Sequence, residues 1–161
     1  MEDVMKKMSI TAVGRIEIVN DETYVVLEKP YIAALRGLEG FGYMNVLWWF
    51  DGCDTSESRQ TLVTPVPYRN VTGDMGVFAT RSPQRPNPIA LTAIRILHID
   101  HGSGRILVSY IDANNMSPVI DLKPYTPSLD RVEKPLVPQW CASWPKSLEE
   151  SAVFDWENEL D

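Results

Sequence analysis

Polar side chains and prolines alternate between residues 76 and 91, GVFATRSPQRPNPIAL, in a pattern suited to holding a ligand. Prolines at 83, 86 and 88 fix φ, and Ser82, Arg85 and Asn87, which precede them, are biased away from helix. A segment so restricted loses little conformational entropy when it closes on a ligand. Thr80, Ser82 and Asn87 can meet hydroxyls. Arg81 and Arg85 present planar, two-pronged donors that suit a carboxylate or phosphate better than lysine does. Val77, Phe78 and Thr80 are β-formers, so the segment is predicted to open as a strand and stop in a rigid loop. The same pattern also describes a surface turn stiffened by proline.

Metal and thiol chemistry find no comparable pattern. Cys53 and Cys141 are far apart, neither belongs to a CxxC pair, and His98 and His101 have no ligand spacing to them. We expect two plain thiols and no structural metal.

The elements that must position the loop read mostly as strands. Residues 9–18 alternate Ile10, Ala12, Gly14, Ile16 and Ile18 against Thr11, Val13, Arg15 and Glu17, and residues 23–28 make a hairpin partner across Asn20-Asp21. Residues 29–38 suit a short helix stopped by Gly40. Residues 43–50, YMNVLWWF, are the most hydrophobic run and read as a buried strand. At least one of Trp48 and Trp49 is expected in the core, with a stacking platform for a base as the alternative. A polar loop over 51–58 leads to a strand over 60–66; later, 91–99 and 105–112 pair across a glycine-containing turn. Many short strands and little helical period predict a mainly β fold, an antiparallel barrel or sandwich. No GxGxxG motif of the doubly wound nucleotide folds is present. From Ser147 the pattern changes: an S-x-x-E capping box precedes Leu148, Ala152, Trp156 and Leu160 at four-residue spacing, predicting a short C-terminal amphipathic helix. The expected division is therefore 1–146 as the β domain and 147–161 as an acidic helix or tail.

Charge is distributed unevenly. Of the formal net charge of −7, the stretch after Lys146 holds six acids and no base. Between Arg59 and Arg95, five arginines face the single acid Asp74, a local net of +4 that suits an anionic ligand or a nucleic-acid phosphate. No apolar run approaches the roughly 20 residues needed to span a bilayer. The opening residues, MEDVMKKMSI, lack the apolar stretch of a secretory signal, so a cytoplasmic location is expected.

The segment GVFATRSPQRPNPIAL closely resembles the signature of the TrmO-like (TsaA-like) family of S-adenosylmethionine-dependent methyltransferases. Downstream, Asp121-Leu122-Lys123-Pro124-Tyr125 resembles the family's D-x-K-P-Y element. The first sixty residues match less well: no Pro-Arg-Gln element precedes Tyr43, and Gly42-Tyr43 stands where the family carries Ser-His ahead of its Trp-Trp-Phe ending. The resemblance implies a single antiparallel β-barrel-like domain and S-adenosyl-L-methionine as cofactor. It implies N6-methylation of a threonylcarbamoyl adenosine in a tRNA anticodon loop, and a homodimer whose sites are completed across the interface. A small-molecule acceptor, or a non-catalytic module that only binds the nucleoside, remain alternatives. On this reading Phe78 and Leu91 wall the purine, Ser82 and Asn87 meet hydroxyls, Arg81 or Arg85 meets a carboxylate or phosphate, and Thr80 and Ile89 belong to the same cofactor site. Lys123 and Arg69 are candidates for the acceptor, and Asp121 or Tyr125 for receiving the amine's proton. Asp121 suits a structural ion pair equally well, and Trp140 and Trp144 are candidates for the dimer interface.

Overall fold

A computed structural model describes residues 6–69 and 71–160. The first five residues of the opening segment, and Asp161 of the acidic tail, lie outside the described residues. Strands β1 (Gly14–Val19) and β2 (Glu22–Leu27) pair antiparallel through Asn20-Asp21. Both turn residues take the positive φ, 52° and 64°, that a tight hairpin asks for. They are followed by β3 (Tyr43–Trp49), β4 (Val63–Pro65), β5 (Asp74–Gly76), β6 (Ile89–Asp100), β7 (Arg105–Val108) and β8 (Pro118–Pro124). Six of the strands close an antiparallel barrel in the order β1-β2-β7-β6-β3-β8, and β4 and β5 form a separate ribbon. The expectation of a mainly β barrel is met.

Alternation builds the barrel interior. In β3, Met44, Val46 and Trp48 point inward while Tyr43, Asn45, Leu47 and Trp49 point outward. Ile16, Val25, Ile94, Ile106 and Val119 complete the buried cluster from the other strands. Each such side chain contributes roughly 1.5–3 kcal/mol by leaving water. Trp48 is in this core, as expected, with its indole N–H donating to the Thr92 hydroxyl at 3.0 Å and its ring edge-on to Phe50. The β6–β7 turn requires Gly104: its φ is +72°, and a Cβ there would lie 2.6 Å from Ile32.

Several boundaries differ from the sequence reading. The first strand starts at Gly14 because residues 9–13 have no paired neighbour of strand length. The helix expected over 29–38 is instead a 3-10 helix, Lys29–Leu35, followed by a second, Leu38–Gly40. Gly37, at φ 90°, breaks the run between them. The polar loop contains a one-turn helix, α1 (Ser56–Gln60), capped by Thr55, whose side chain accepts from the Ser58 N–H. Val77–Ala79, read as the opening of a strand, is a 3-10 turn after β5. Strand β8, bounded by Pro118 and Pro124, had not been separated from its motif.

After β8 come the one-turn helix α2 (Pro127–Asp130), an exposed run to Val137, and a C-terminal segment held by rings. Trp140 stacks on Tyr68 at 4.6 Å, Trp144 meets both edge-on, and Trp156 continues the series against Trp144 and Phe154. The amphipathic helix expected from Ser147 is reduced to one turn, α3 (Leu148–Ser151), capped by the Ser147 hydroxyl. Trp156 then turns into a 3-10 helix toward the aromatic cluster. Among the described residues, no helix is long and apolar enough to cross a membrane.

Candidate functional site

The proline loop leaves β5 and enters β6, and three separate anchors fix its path. Pro88 is fully buried and its carbonyl accepts from the Phe50 N–H at 2.9 Å, joining the loop to the end of β3. Arg59 of α1 donates to the Pro86 carbonyl at 3.1 Å, lies over the Trp49 ring and pairs with Asp54. The Thr80 hydroxyl donates to the Val77 carbonyl and accepts from the Ser82 N–H.

Arg85 closes the turn from inside. Its guanidinium donates to the carbonyls of Ser82 (2.6 Å), Thr80 (2.7 Å) and Val77 (2.9 Å). One acceptor lies in the 3-10 turn, one at its C-cap and one two residues on, and the forked guanidinium reaches all three together. Arg85 is thus the loop's internal brace. Arg81 is exposed and donates once, to the Leu91 carbonyl at 3.0 Å, leaving most of its donors toward solvent.

Beside the loop lies a cleft of about 920 Å³. The loop and the start of β6 contribute Phe78, Thr80, Arg81, Arg85, Ile89 and Leu91 to its lining, and Tyr125 joins them from the D-x-K-P-Y element. These are seven of the residues nominated from the sequence. Phe78 is 86% exposed, an unpaired aromatic face at the rim of the cleft. Ser82, Asn87, Lys123 and Arg69 lie outside this lining, and so does Asp121. Asp121 accepts from the Leu122 N–H at 2.9 Å, pairs with Lys123 at 2.8 Å, and borders a smaller apolar depression of about 220 Å³ beneath the 3-10 helices. Its carboxylate raises the Lys123 pKa, which keeps that lysine a cation and unsuited to act as a base. Arg69 donates to the Leu160 carbonyl at 2.9 Å.

Other lining residues had not been nominated. Asp130 of α2 accepts from Asn45 at 2.8 Å and from the Thr126 N–H at 2.7 Å, so its carboxylate is fixed beside Tyr125. Asp112 borders the cleft with Tyr110, whose pKa it raises, first by its charge, then with help from burial and their hydrogen bond at 3.3 Å. Tyr110 therefore stays protonated at neutral pH. Thr126 followed by Pro127 and an acid at 130 resembles a helix cap, the one sequence signal that pointed to Asp130. Asp112 carried none. Trp140 and Trp144, expected at a dimer interface, instead pack within the chain on Tyr68.

The cleft offers apolar walls, guanidinium from the loop, and carboxylates from the segments after β7 and β8. That set matches a ligand with an aromatic ring system, a carboxylate and positive charge, in a volume typical of cofactor sites. Among the described residues no group of three or more His, Cys, Asp or Glu is arranged to hold a metal ion.

Residues 14–131 match the family described as tRNA-methyltransferase O N-terminal domain. An S-adenosyl-L-methionine-binding protein of Archaeoglobus fulgidus is 38% identical over 110 residues, covering 68% of this chain and 73% of that protein. A tRNA (adenine(37)-N6)-methyltransferase of Escherichia coli is 34% identical over 116 residues, covering 71% of this chain but 48% of that protein. A crystal structure of TrmO superimposes with a TM-score of 0.65 at 27% identity, covering 82% of this chain and 64% of the other. The chain thus spans about half of the E. coli relative and under two thirds of the solved one.

Proposed function

The chain belongs to the tRNA-methyltransferase O N-terminal domain family, and from that premise we propose that it is an S-adenosylmethionine-dependent methyltransferase acting on a tRNA adenosine derivative. The observation that carries this reading is the cleft, which joins the braced proline loop to two fixed carboxylates. The relatives' names support both halves: one is called a binding protein for this cofactor, the other a tRNA adenine methyltransferase.

When bound, the cofactor supplies a methyl group already activated by its positive sulfur. Phe78, Ile89 and Leu91 are the apolar surface for its purine, and Arg81 is the free donor for its carboxylate. Arg85 acts through the backbone, holding the carbonyls of Val77, Thr80 and Ser82 where the loop needs them. Ser82 and Asn87 shape the loop from outside the lining. Orienting two reactants in line is worth roughly 7–11 kcal/mol, so positioning is the larger part of what these residues do.

An exocyclic amine loses a proton as it is methylated. Asp130, held by Asn45 and the Thr126 N–H and lining the cleft with Tyr125, is better placed there than Asp121 to receive it. Asp121 and Lys123 form an ion pair on β8 whose part is structural or in seating the acceptor. Exposed Leu129, Val132, Leu136 and Val137 give an apolar strip for a second subunit, in keeping with the homodimer that the resemblance implies. We place the protein in the cytoplasm, with a β-barrel domain over 1–146 as the catalytic unit and 147–161 as an appended acidic segment.

The net charge of −7 favours one second reading, transfer to a small acceptor. Incubation with cofactor and tRNA lacking the methyl group, followed by nucleoside mass spectrometry, separates the two. One methyl's mass gained on a modified adenosine is expected. Cofactor consumption without any change in the RNA overturns the tRNA reading.

A further inference from the structure

We propose that the segment from Ser147 onward is a specificity-determining strap, whose negative charge at the edge of the cleft weakens the hold on any RNA that does not seat its target base. The inference rests on the tRNA reading above and goes beyond it in assigning the selectivity to this segment.

Three observations place the strap. Leu148 lines the cleft directly. The next residue, Glu149, accepts from the Tyr43 hydroxyl at 3.3 Å, fixing the strap to the start of β3. Farther on, Leu160 bridges Tyr68, and the Glu159 and Leu160 carbonyls accept from the Arg69 backbone N–H and Nε. Arg69 belongs to the locally positive stretch that contains the proline loop, so the strap engages one of the five arginines of that stretch through its Nε.

Charge makes this contact selective. Six acids and no base follow Lys146. The carboxyl of Glu149 is held below the usual glutamate range, first by its own backbone N–H and then by the Ser147 and Tyr43 hydroxyls, so it is ionised at neutral pH. At physiological salt, charges act over about 8 Å, enough for an anion one residue from the lining to be felt in the cleft. A polyanion meets repulsion there, whereas a cofactor with a positive sulfur does not.

The fixation is of a kind that can be neutralised without being removed. Glu150 accepts from the Lys146 N–H at 2.9 Å and Glu159 from the Trp144 indole at 3.3 Å, and glutamine can accept both bonds. The test replaces Glu149, Glu150, Glu157 and Glu159 by glutamine. It measures binding of a fluorescent tRNA anticodon stem-loop, and of the same stem-loop with uridine in place of its target adenosine, at about 50 mM and 300 mM salt, where screening lengths differ by more than twofold. The variant should bind the uridine stem-loop at least fivefold tighter than the parent does at the lower salt and within twofold of it at the higher, with a smaller gain for the adenosine stem-loop. Cofactor affinity should not change. The pair Glu149→Gln and Glu157→Gln, which leaves the bonds to Lys146 and Trp144 intact, should move RNA affinity in the same direction by a smaller factor.

Equal RNA affinity in all three proteins, or no RNA binding by any of them, overturns the strap. Tighter RNA binding by the variants with no methyl reaching the RNA leaves the strap standing and removes the tRNA reading. Methylation with unchanged RNA affinity does the reverse.

Discussion

Two irregular segments border the same cleft and are held in opposite ways. The proline loop is fixed by directed hydrogen bonds to backbone carbonyls, with Arg85 and Arg59 as donors and Pro88 buried beneath. The C-terminal segment is fixed by rings, Trp140, Trp144 and Trp156 against Tyr68 and Phe154, and carries the chain's excess of acid. Hydrogen bonds with short tolerances set atomic positions, whereas ring contacts allow sliding and release. The difference assigns geometry to the loop and access to the segment.

Breaking the brace should give the largest effect. Arg85→Ala removes the donor shared by the Ser82, Thr80 and Val77 carbonyls, of which Val77 keeps its bonds from Thr80, and should cost about 2–4 kcal/mol of stability, with loss of cofactor binding. Arg85→Lys should restore little, because a point donor cannot span acceptors that a fork reaches. Urea unfolding and cofactor titration check both, and a lysine variant that binds like the parent would contradict the brace.

Trp144→Ala removes the ring shared by Tyr68, Trp140 and Trp156 and should loosen the segment by about 2 kcal/mol, at the low end for a Trp truncation because the site is half-buried. Limited proteolysis should then cut after residue 138 while the barrel's hydrogen-exchange protection is kept. Protection lost equally in both places would mean that the two regions are one unit.

Arg81→Ala sharpens the contrast within the loop. Having one backbone bond and an exposed side chain, it should change stability by less than about 0.5 kcal/mol. Cofactor affinity should fall roughly tenfold, about 1.4 kcal/mol. Calorimetry on both quantities separates a ligand donor from a brace.

The barrel wall provides the reference for both segments. Glu17 accepts from Arg105 and Arg15, each at 2.6 Å, while Arg105 also lies over the Tyr24 ring. Hydrogen bonding to Arg105 first, and then Arg15, holds the Glu17 carboxyl below the ordinary 4.5, against the opposing effect of burial. The folded state thus stays ionised at pH values where the unfolded chain takes up the proton. The stabilisation is complete above 4.5 and is lost as pH falls through the lowered folded value. Glu17→Gln should cost about 1 kcal/mol at neutral pH and progressively less below that point. Thermal melts of both proteins against pH read the difference directly, and a gap that widens in acid would contradict the assignment.

What the sequence displayed, and what it did not, follows the same division. The barrel strands were legible because alternation is local: Met44, Val46 and Trp48 announce one face of β3 without any partner. The loop was legible as rigid because proline acts on its own neighbours. Its form as a 3-10 turn was not, since Val77 and Phe78 favour strands and part of what stabilises the turn is Arg85, reaching back from later in the chain. Arg85 and Arg81 look alike in the sequence, and their different roles arise from which carbonyls lie within reach. Asp130 and Asp112 come to the cleft through tertiary packing, whereas the ion pair of Asp121 with Lys123, two residues apart on β8, is local and lies outside it. The helical period after Ser147 was genuine but lost to the aromatic cluster, which draws Trp156 away from a continuous helix.

The central claim is that the cleft beside the braced loop takes S-adenosylmethionine. Its most direct test is a calorimetric titration of the full chain with that cofactor, alongside the demethylated product as competitor. The account predicts one site of micromolar affinity, about −8 kcal/mol, displaced by the product. No heat, together with no competition by the product, would contradict it.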